Sequence, residues 1–257
     1  MIHFVHSYLH KDLHPITIDV IGCGGTGSHV LTRLARMHHV LVQLGMKGLL
    51  VRAWDFDIVE ENNVGRQSFT ENDIGKNKAK CLINKINIAF GTAWISKSIK
   101  YNLPKIKSNI LITCVDNTQT RNSIQKKFRN RKRIMNVSET SSFYWLDCGN
   151  GKDFGQVVVG SLNIPQPKSK HKTISKLETI IEKFGDLKQF ESEEIQGMES
   201  CSLEASLSKQ DLFINDLIAV HACDIIWKML KHKYLEVNGC IVNLQKINSK
   251  GFSLSLS

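Results

Sequence analysis

Seven consecutive residues, Gly22-Cys23-Gly24-Gly25-Thr26-Gly27-Ser28, carry the densest chemical signal in the sequence. Glycines there let a backbone turn tightly and approach a phosphate or ribose closely. A helix opening at the loop would add unpaired N–H groups and a favourable dipole. Gly22, Gly24 and Gly27 also satisfy the Gly-x-Gly-x-x-Gly fingerprint of NAD enzymes, so the loop indicates a nucleotide without naming it. A tight strand-to-helix turn with no ligand is the plain alternative. Asp55-Phe56-Asp57 follows, and one carboxylate there can accept ribose hydroxyls, although NAD enzymes place an acid at the same point. Taken singly, Arg66 and Lys78 read as surface charges, Asp57 as a turn residue, Asp116 as a helix cap ahead of Asn117 and Arg121 as half of an ion pair.

Such a loop works at the carboxyl end of a strand, and the flanking pattern supplies one. Ile16 to Ile21 is a β-branched run ending at the glycines, which predicts a buried strand. Ser28 to Leu44 places Val30, Leu31, Leu34, Met37, Leu41 and Leu44 at helical spacing, and Gly48 to Trp54 returns to a strand. Asp55 lies 28 residues after Gly27, which predicts an insertion within Met37 to Gly48. Lys78 to Phe90 and Thr118 to Arg129 read as helices, with strands over Asn109 to Val115 and Arg133 to Val137. Alternation of this kind predicts an α/β fold: a doubly wound, mostly parallel, Rossmann-like sheet. Gly155 to Leu162 reads as a strand. Pro165 to about Gln210 is irregular, with a helix near Ile174 to Phe184, and a stretch of that length points to a functional crossover region. Leu212 to Leu230 reads as a buried helix and Gly239 to Ile247 as a late strand.

Composition narrows the function classes. The chain has 257 residues and a formal net charge of +10. No apolar run approaches the roughly 18 to 20 residues that span a bilayer, and Met1 to His14 lacks the features of a signal peptide, so a cytoplasmic location is expected. The seven cysteines form no Cys-x-x-Cys pair, which argues against a disulfide framework and a closed zinc site. Cys114, Cys223 and Cys240 sit in apolar runs and read as core, as does His221. A denser basic segment, Arg121, Lys126, Lys127, Arg129, Arg131, Lys132 and Arg133, lacks any accompanying nucleic-acid-binding motif and reads as a solvated face.

The order of motifs is more specific than any one of them. Asp55-Phe56-Asp57-Ile58-Val59, Asn63-Val64-Gly65-Arg66-Gln67, Gly75-Lys76-Asn77-Lys78 and Asp116-Asn117 with Arg121 together resemble the ThiF, molybdopterin-synthase-adenylating and ubiquitin-activating superfamily. The resemblance looks closer still to one branch, the ThiF-related member of the PRTRC cassette of bacteria. The opening Met1-Ile2-His3-Phe4-Val5-His6-Ser7-Tyr8, the segment Tyr144-Trp145-Leu146-Asp147 and Gln210-Asp211-Leu212-Phe213-Ile214-Asn215 carry that closer likeness.

The resemblance implies one ThiF-type adenylation domain over 1–257, with a nucleotide-binding half over 1–150 and a crossover loop and partner-binding half over 151–257. It implies ATP and Mg²⁺, with Gly22, Gly24, Gly25 and Gly27 at the nucleotide, Asp55 on the ribose and Asp57 beside it. Asn63 would lie near the phosphates, and Gln67 would also bind the cofactor. Arg66 and Lys78 would be the cations on them, Asp116 the metal ligand and Asn117 its support. The implied substrate is the C-terminal carboxylate of a ubiquitin-like small protein, with a conjugating-enzyme-like protein downstream and a homodimer as the assembly. Cys201, in Glu199-Ser200-Cys201-Ser202, stands where ubiquitin-activating relatives carry a thioester-forming cysteine. The chain departs from its relatives in having no arginine within Met1 to Pro15. That departure motivates an alternative, a non-catalytic nucleotide-binding scaffold, and an NAD-dependent oxidoreductase is the third reading.

Overall fold

The computed structural model describes residues 1–101, 108–129, 141–162, 173–185 and 210–255. A two-residue strand, β1 (His3–Phe4), is followed by β2 (Ile16–Ile21), α1 (Gly25–Gln43), β3 (Leu49–Trp54), α2 (Lys78–Phe90), β4 (Ile95–Lys97), β5 (Ile110–Thr113), α3 (Thr118–Arg129) and β6 (Tyr144–Asn150). Then come β7 (Phe154–Ser161), a short α4 (Ile180–Phe184), a long α5 (Ile214–Lys231), β8 (Tyr234–Leu235), β9 (Val237–Asn243) and β10 (Asn248–Ser253).

Eight strands form one sheet in the order β10-β9-β7-β6-β5-β2-β3-β4, and β1 pairs separately with β8. Neighbours from β4 to β6 run parallel. The remaining pairs, β6 with β7, β7 with β9 and β9 with β10, are antiparallel. The strand order reverses between β2 and β5, and loops leaving the carboxyl ends of such a pair diverge to open a crevice. The glycine loop leaves β2 and Asp116 follows β5, so both open onto that point.

The strands alternate faces with period 2, and both faces are covered. Ile18, Val20, Ile110, Ile112, Tyr144, Leu146, Val157 and Val159 join the core beneath α1, α2 and α5. Ile21, Leu111, Trp145 and Val158 point the other way, against Ile124 and Phe128 of α3 and Ile180 of α4. Two carboxylates are buried within this sheet. Asp19, opposite Arg52 in register, accepts Arg52 Nε at 2.6 Å and Trp54 Nε1 at 3.0 Å. Asp147 is held from α3, as described below.

Several expectations need correction. No insertion separates helix from strand: α1 runs 19 residues, so the delay before Asp55 is helix length. The helix expected from Ile174 begins at Ile180, where Thr179 and Glu182 form a reciprocal cap. The buried helix expected from Leu212 begins at Ile214, and Leu212, Phe213 and Val220 are exposed. His221 and Cys114 are only partly buried, whereas Cys223 and Cys240 are core. The single late strand is a hairpin, β9–β10. Arg121 leaves the basic face altogether, being 7% exposed. The strand expected over Arg133 to Val137 and residues Arg131, Lys132 and Arg133 lie outside the described residues, as does most of the crossover region.

Candidate active site

The glycine loop is shaped from below by the sheet and from the side by the last helix. Gly22 has φ +86°, and a Cβ there would sit 2.5 Å from the Cys114 carbonyl oxygen, so only glycine passes over the end of β5. Gly27 packs on the Gly22 carbonyl, and Gly24 faces Gln67. Gly25 is tight for a different reason: its Cβ would meet the Asn215 carboxamide at 2.6 Å. Gly24 stands at the helix N-cap and no side chain caps α1. Its first N–H groups keep the anion-binding character of a helix N-terminus.

Asp55 ties the loop to the second strand. Its Oδ2 accepts the Cys23 N–H at 2.6 Å and its Oδ1 the Asp57 N–H at 2.9 Å. Burial raises the Asp55 carboxyl above its ordinary value, against the lowering effect of those two hydrogen bonds. The chain then folds back on itself. The Val59 N–H donates to the Lys76 carbonyl at 2.8 Å and the Lys78 N–H to the Asp57 carbonyl at 2.9 Å. Asn77 secures this return, donating from Nδ2 to the carbonyls of Asp55 and Asp57, both at 3.0 Å, while its Oδ1 caps α2 at the Lys80 N–H. The outcome is Lys78 Nζ at 3.6 Å from Asp57 Oδ2, its side chain largely buried beside an exposed carboxylate.

Between these anchors lies the segment with Asn63, Arg66 and Gln67. Asn63 is buried and closes a short helical turn by accepting the Glu60 N–H at 3.0 Å. Ser68 N–H donates to Ser28 Oγ at 3.1 Å, pinning the segment to the start of α1. Gln67 is 7% exposed, and its Oε1 has no hydrogen-bond partner among the described residues. Arg66 is half-buried, with Nη1 donating to Gln210 Oε1 at 3.0 Å and a buried Nε that has no such partner. Burial lowers its guanidinium from the ordinary value. Among the described residues no carboxylate pairs with it.

Across the strand reversal, Asp116 is exposed at the end of β5. It is not the helix cap: Asn117 Oδ1 accepts the Thr120 N–H at 3.0 Å, and Asn117 Nδ2 reaches Asp116 Oδ1 at 3.4 Å. Among the described residues the Asp116 carboxylate makes no ion pair, and a single Asp can serve Mg²⁺ where phosphate oxygens supply the other ligands. Arg121 serves the framework instead. Its Nε donates to Asp147 at 2.9 and 3.1 Å and its Nη2 to the Cys148 carbonyl at 3.1 Å. Thr113 Oγ1 completes the satisfaction of Asp147 at 2.5 Å.

Cys23, Cys223 and Cys240 are buried thiols. Burial raises Cys23 well above its ordinary value and pushes Cys223 up to about 12 and Cys240 up to about 11. Cys201 lies outside the described residues.

The ThiF family model matches residues 1–143, more than half of the chain. The chain belongs to the ThiF family. No curated protein matches it. Among solved structures, Escherichia coli MccB with ATP is similar at a TM-score of 0.59 and 16% identity, over 97% of this chain and 67% of that one. MccB with MccA aligns at 0.59 and 17%, over 96% and 66%, and PaaA at 0.56 and 15%, over 96% and 67%. At these identities the likeness is one of fold, and the ThiF-family chain spans about two thirds of the length of these structures. In this ThiF-family protein, the sequence motifs did not single out Asn77, Asp147, Gln210 or Asn215 as site residues. All four lie inside motifs that carry the family resemblance, but an amide or a buried acid between charged or apolar neighbours carries little signal of its own.

Proposed function

We propose that this chain is an ATP-dependent adenylating enzyme acting on the C-terminal carboxylate of a ubiquitin-like small protein. Membership of the ThiF family supports the chemistry, and one structural observation carries it. Arg66 is a half-buried cation beside a glycine loop, with no carboxylate to neutralise it among the described residues. Removing charge from water without a partner is costly, so such a site favours an anion. Lys78 and the uncapped start of α1 add positive potential to the same crevice.

In the proposed reaction a carboxylate oxygen attacks the α-phosphorus of ATP and pyrophosphate leaves, giving an acyl adenylate. Asp55 would hold the ribose, Asn63 and Gln67 would line the phosphate path, and Arg66 and Lys78 would stabilise negative charge as it shifts onto the leaving group. Mg²⁺, held by Asp116 with Asn117 beside it, would offset phosphate charge when bound. The likeness to MccB, solved with ATP and with MccA, favours a small protein or peptide as the second substrate. The finer assignments belong to the same proposal: the PRTRC-type branch, a single domain over 1–257 divided near residue 150, a homodimer in the cytoplasm, thioester transfer through Cys201 and a conjugating-enzyme-like acceptor. No described helix is long and apolar enough to cross a membrane.

Pyrophosphate–ATP exchange that depends on an added small protein with a free C-terminus tests the reading. Asp116→Ala should abolish that exchange. ATP binding without exchange for any such partner would favour the non-catalytic scaffold, and a preference for NAD would favour the oxidoreductase.

A further inference from the structure

Asn215, 1% exposed in the first turn of α5, makes contacts that the reaction above does not use. Its Oδ1 accepts Thr26 Oγ1 of the glycine loop at 2.9 Å and Asn150 Nδ2 of β6 at 2.7 Å. Its Nδ2 donates to Gln210 Oε1 at 3.3 Å, and the same Gln210 oxygen accepts Arg66 Nη1 at 3.0 Å. Chemistry fixes the direction of this chain. A guanidinium has only donors, so Gln210 must turn its oxygen to Arg66. Asn215 must then present its NH₂ group to Gln210, which turns its own oxygen to Thr26 and Asn150. Each amide orientation follows from the one before it, starting from the arginine.

The path therefore joins the glycine loop to Arg66 through two amides on the far side of the molecule in sequence. Among the described residues one of the five Arg66 donors is taken up, by Gln210, and the buried Nε has no partner. We infer that Gln210 and Asn215 are positioning residues that aim Arg66 at the triphosphate and lock that aim to the glycine loop. The inference rests on the adenylation reading of the same site. It also gives position 25 a structural reason to be glycine, since the Asn215 carboxamide occupies the space a side chain there would need.

Calorimetric titration of the full chain with Mg-ATP and with adenosine, which lacks phosphates, tests it. Gln210→Ala should weaken ATP binding about tenfold, in keeping with loss of a hydrogen bond to a charged group, and leave adenosine affinity unchanged. In an Arg66→Ala background the Gln210→Ala change should have no further effect, because its influence passes through the arginine. Asn215→Ala should show the same dependence on Arg66. Should that variant fail to fold, Gln210, in a partly exposed segment ahead of α5, carries the test alone. Equal losses for ATP and adenosine, additive losses with Arg66→Ala, or an unchanged ATP affinity in Gln210→Ala would each overturn the inference and leave adenylation standing. A wild-type chain that binds no ATP would remove the adenylation reading, and this inference with it.

Discussion

A guanidinium held half out of water, with an amide oxygen beside it and no carboxylate, is destabilised until an anion arrives. Among the described residues Arg66 is in that position, and Lys78, with Asp57 at 3.6 Å, is partly relieved of it. Arg66→Gln should therefore leave the melting temperature unchanged or slightly higher while weakening ATP binding roughly ten- to a hundredfold. Thermal shift with and without ATP checks this, and a variant that loses stability but keeps ATP binding contradicts it. Arg121 is the contrasting case, since its charge is matched by Asp147 in the core. Asp147→Ala would strand the buried guanidinium and should cost about 3–5 kcal/mol of stability, measurable by urea unfolding. A double change of Arg121 and Asp147 to leucine should cost less than Asp147→Ala alone. The sequence placed Arg66 and Arg121 in one motif series, and the reading of Arg121 as half of an ion pair holds, but nothing local named its acid. The distinction lies in which acid faces each side chain, and Asp147 sits 26 positions from Arg121 on another strand.

Helices and strands were legible in proportion to their periodicity. Lys78–Phe90 and Thr118–Arg129 form where the apolar spacing predicted, because one face of each meets the sheet. The β9–β10 hairpin was missed because Asn248–Ser253 is mostly exposed and has no alternating apolar face to read. The start of α1 was set too late because Gly25, Thr26 and Gly27 are weak helix formers, here recruited by the contact of Asn215 with the loop. That contact makes the junction of α1 and α5 sensitive to volume. Gly25→Ala places a methyl group 2.6 Å from the Asn215 carboxamide, and overpacking of this kind costs about 1–3 kcal/mol. Combining it with Asn215→Ala should cost less than the sum of the two single changes, as a denaturant double-mutant cycle would read. Strict additivity would mean that the two positions do not press on each other.

At the scale of the whole molecule, burial sets the acid limit of stability. His3, His6, His29, His38 and His221 are all lowered from their ordinary value, chiefly by desolvation, and His10 falls to about 4. A histidine with a depressed folded-state value binds fewer protons folded than unfolded between the two values. Stability should then fall as pH drops from about 6.5 toward 4. Asp55, with its carboxyl raised, works in the opposite direction at the acid end. A His10→Gln comparison isolates one contributor: its melting temperature should fall less steeply than the wild type's from pH 7 to 5. An identical slope in both would remove His10 as a source. In the parallel half of the sheet β2, β3 and β5 were readable from their apolar runs, whereas β4 and β6 were not read as strands. The antiparallel half depends on pairings between distant segments that no local pattern specifies.

The hydrogen bond from Thr26 to Asn215 spans 189 positions of sequence, and it has a consequence for how the protein is made. A growing chain can form β2, the glycine loop and α1 early, but the loop lacks its α5 partner until residue 215 has been synthesised and α5 has docked. Incomplete chains carry the nucleotide motif without the brace that aims its arginine. Competence to use ATP would then wait until α5 has been made and docked, sparing the cell shorter unfinished copies that consume nucleotide.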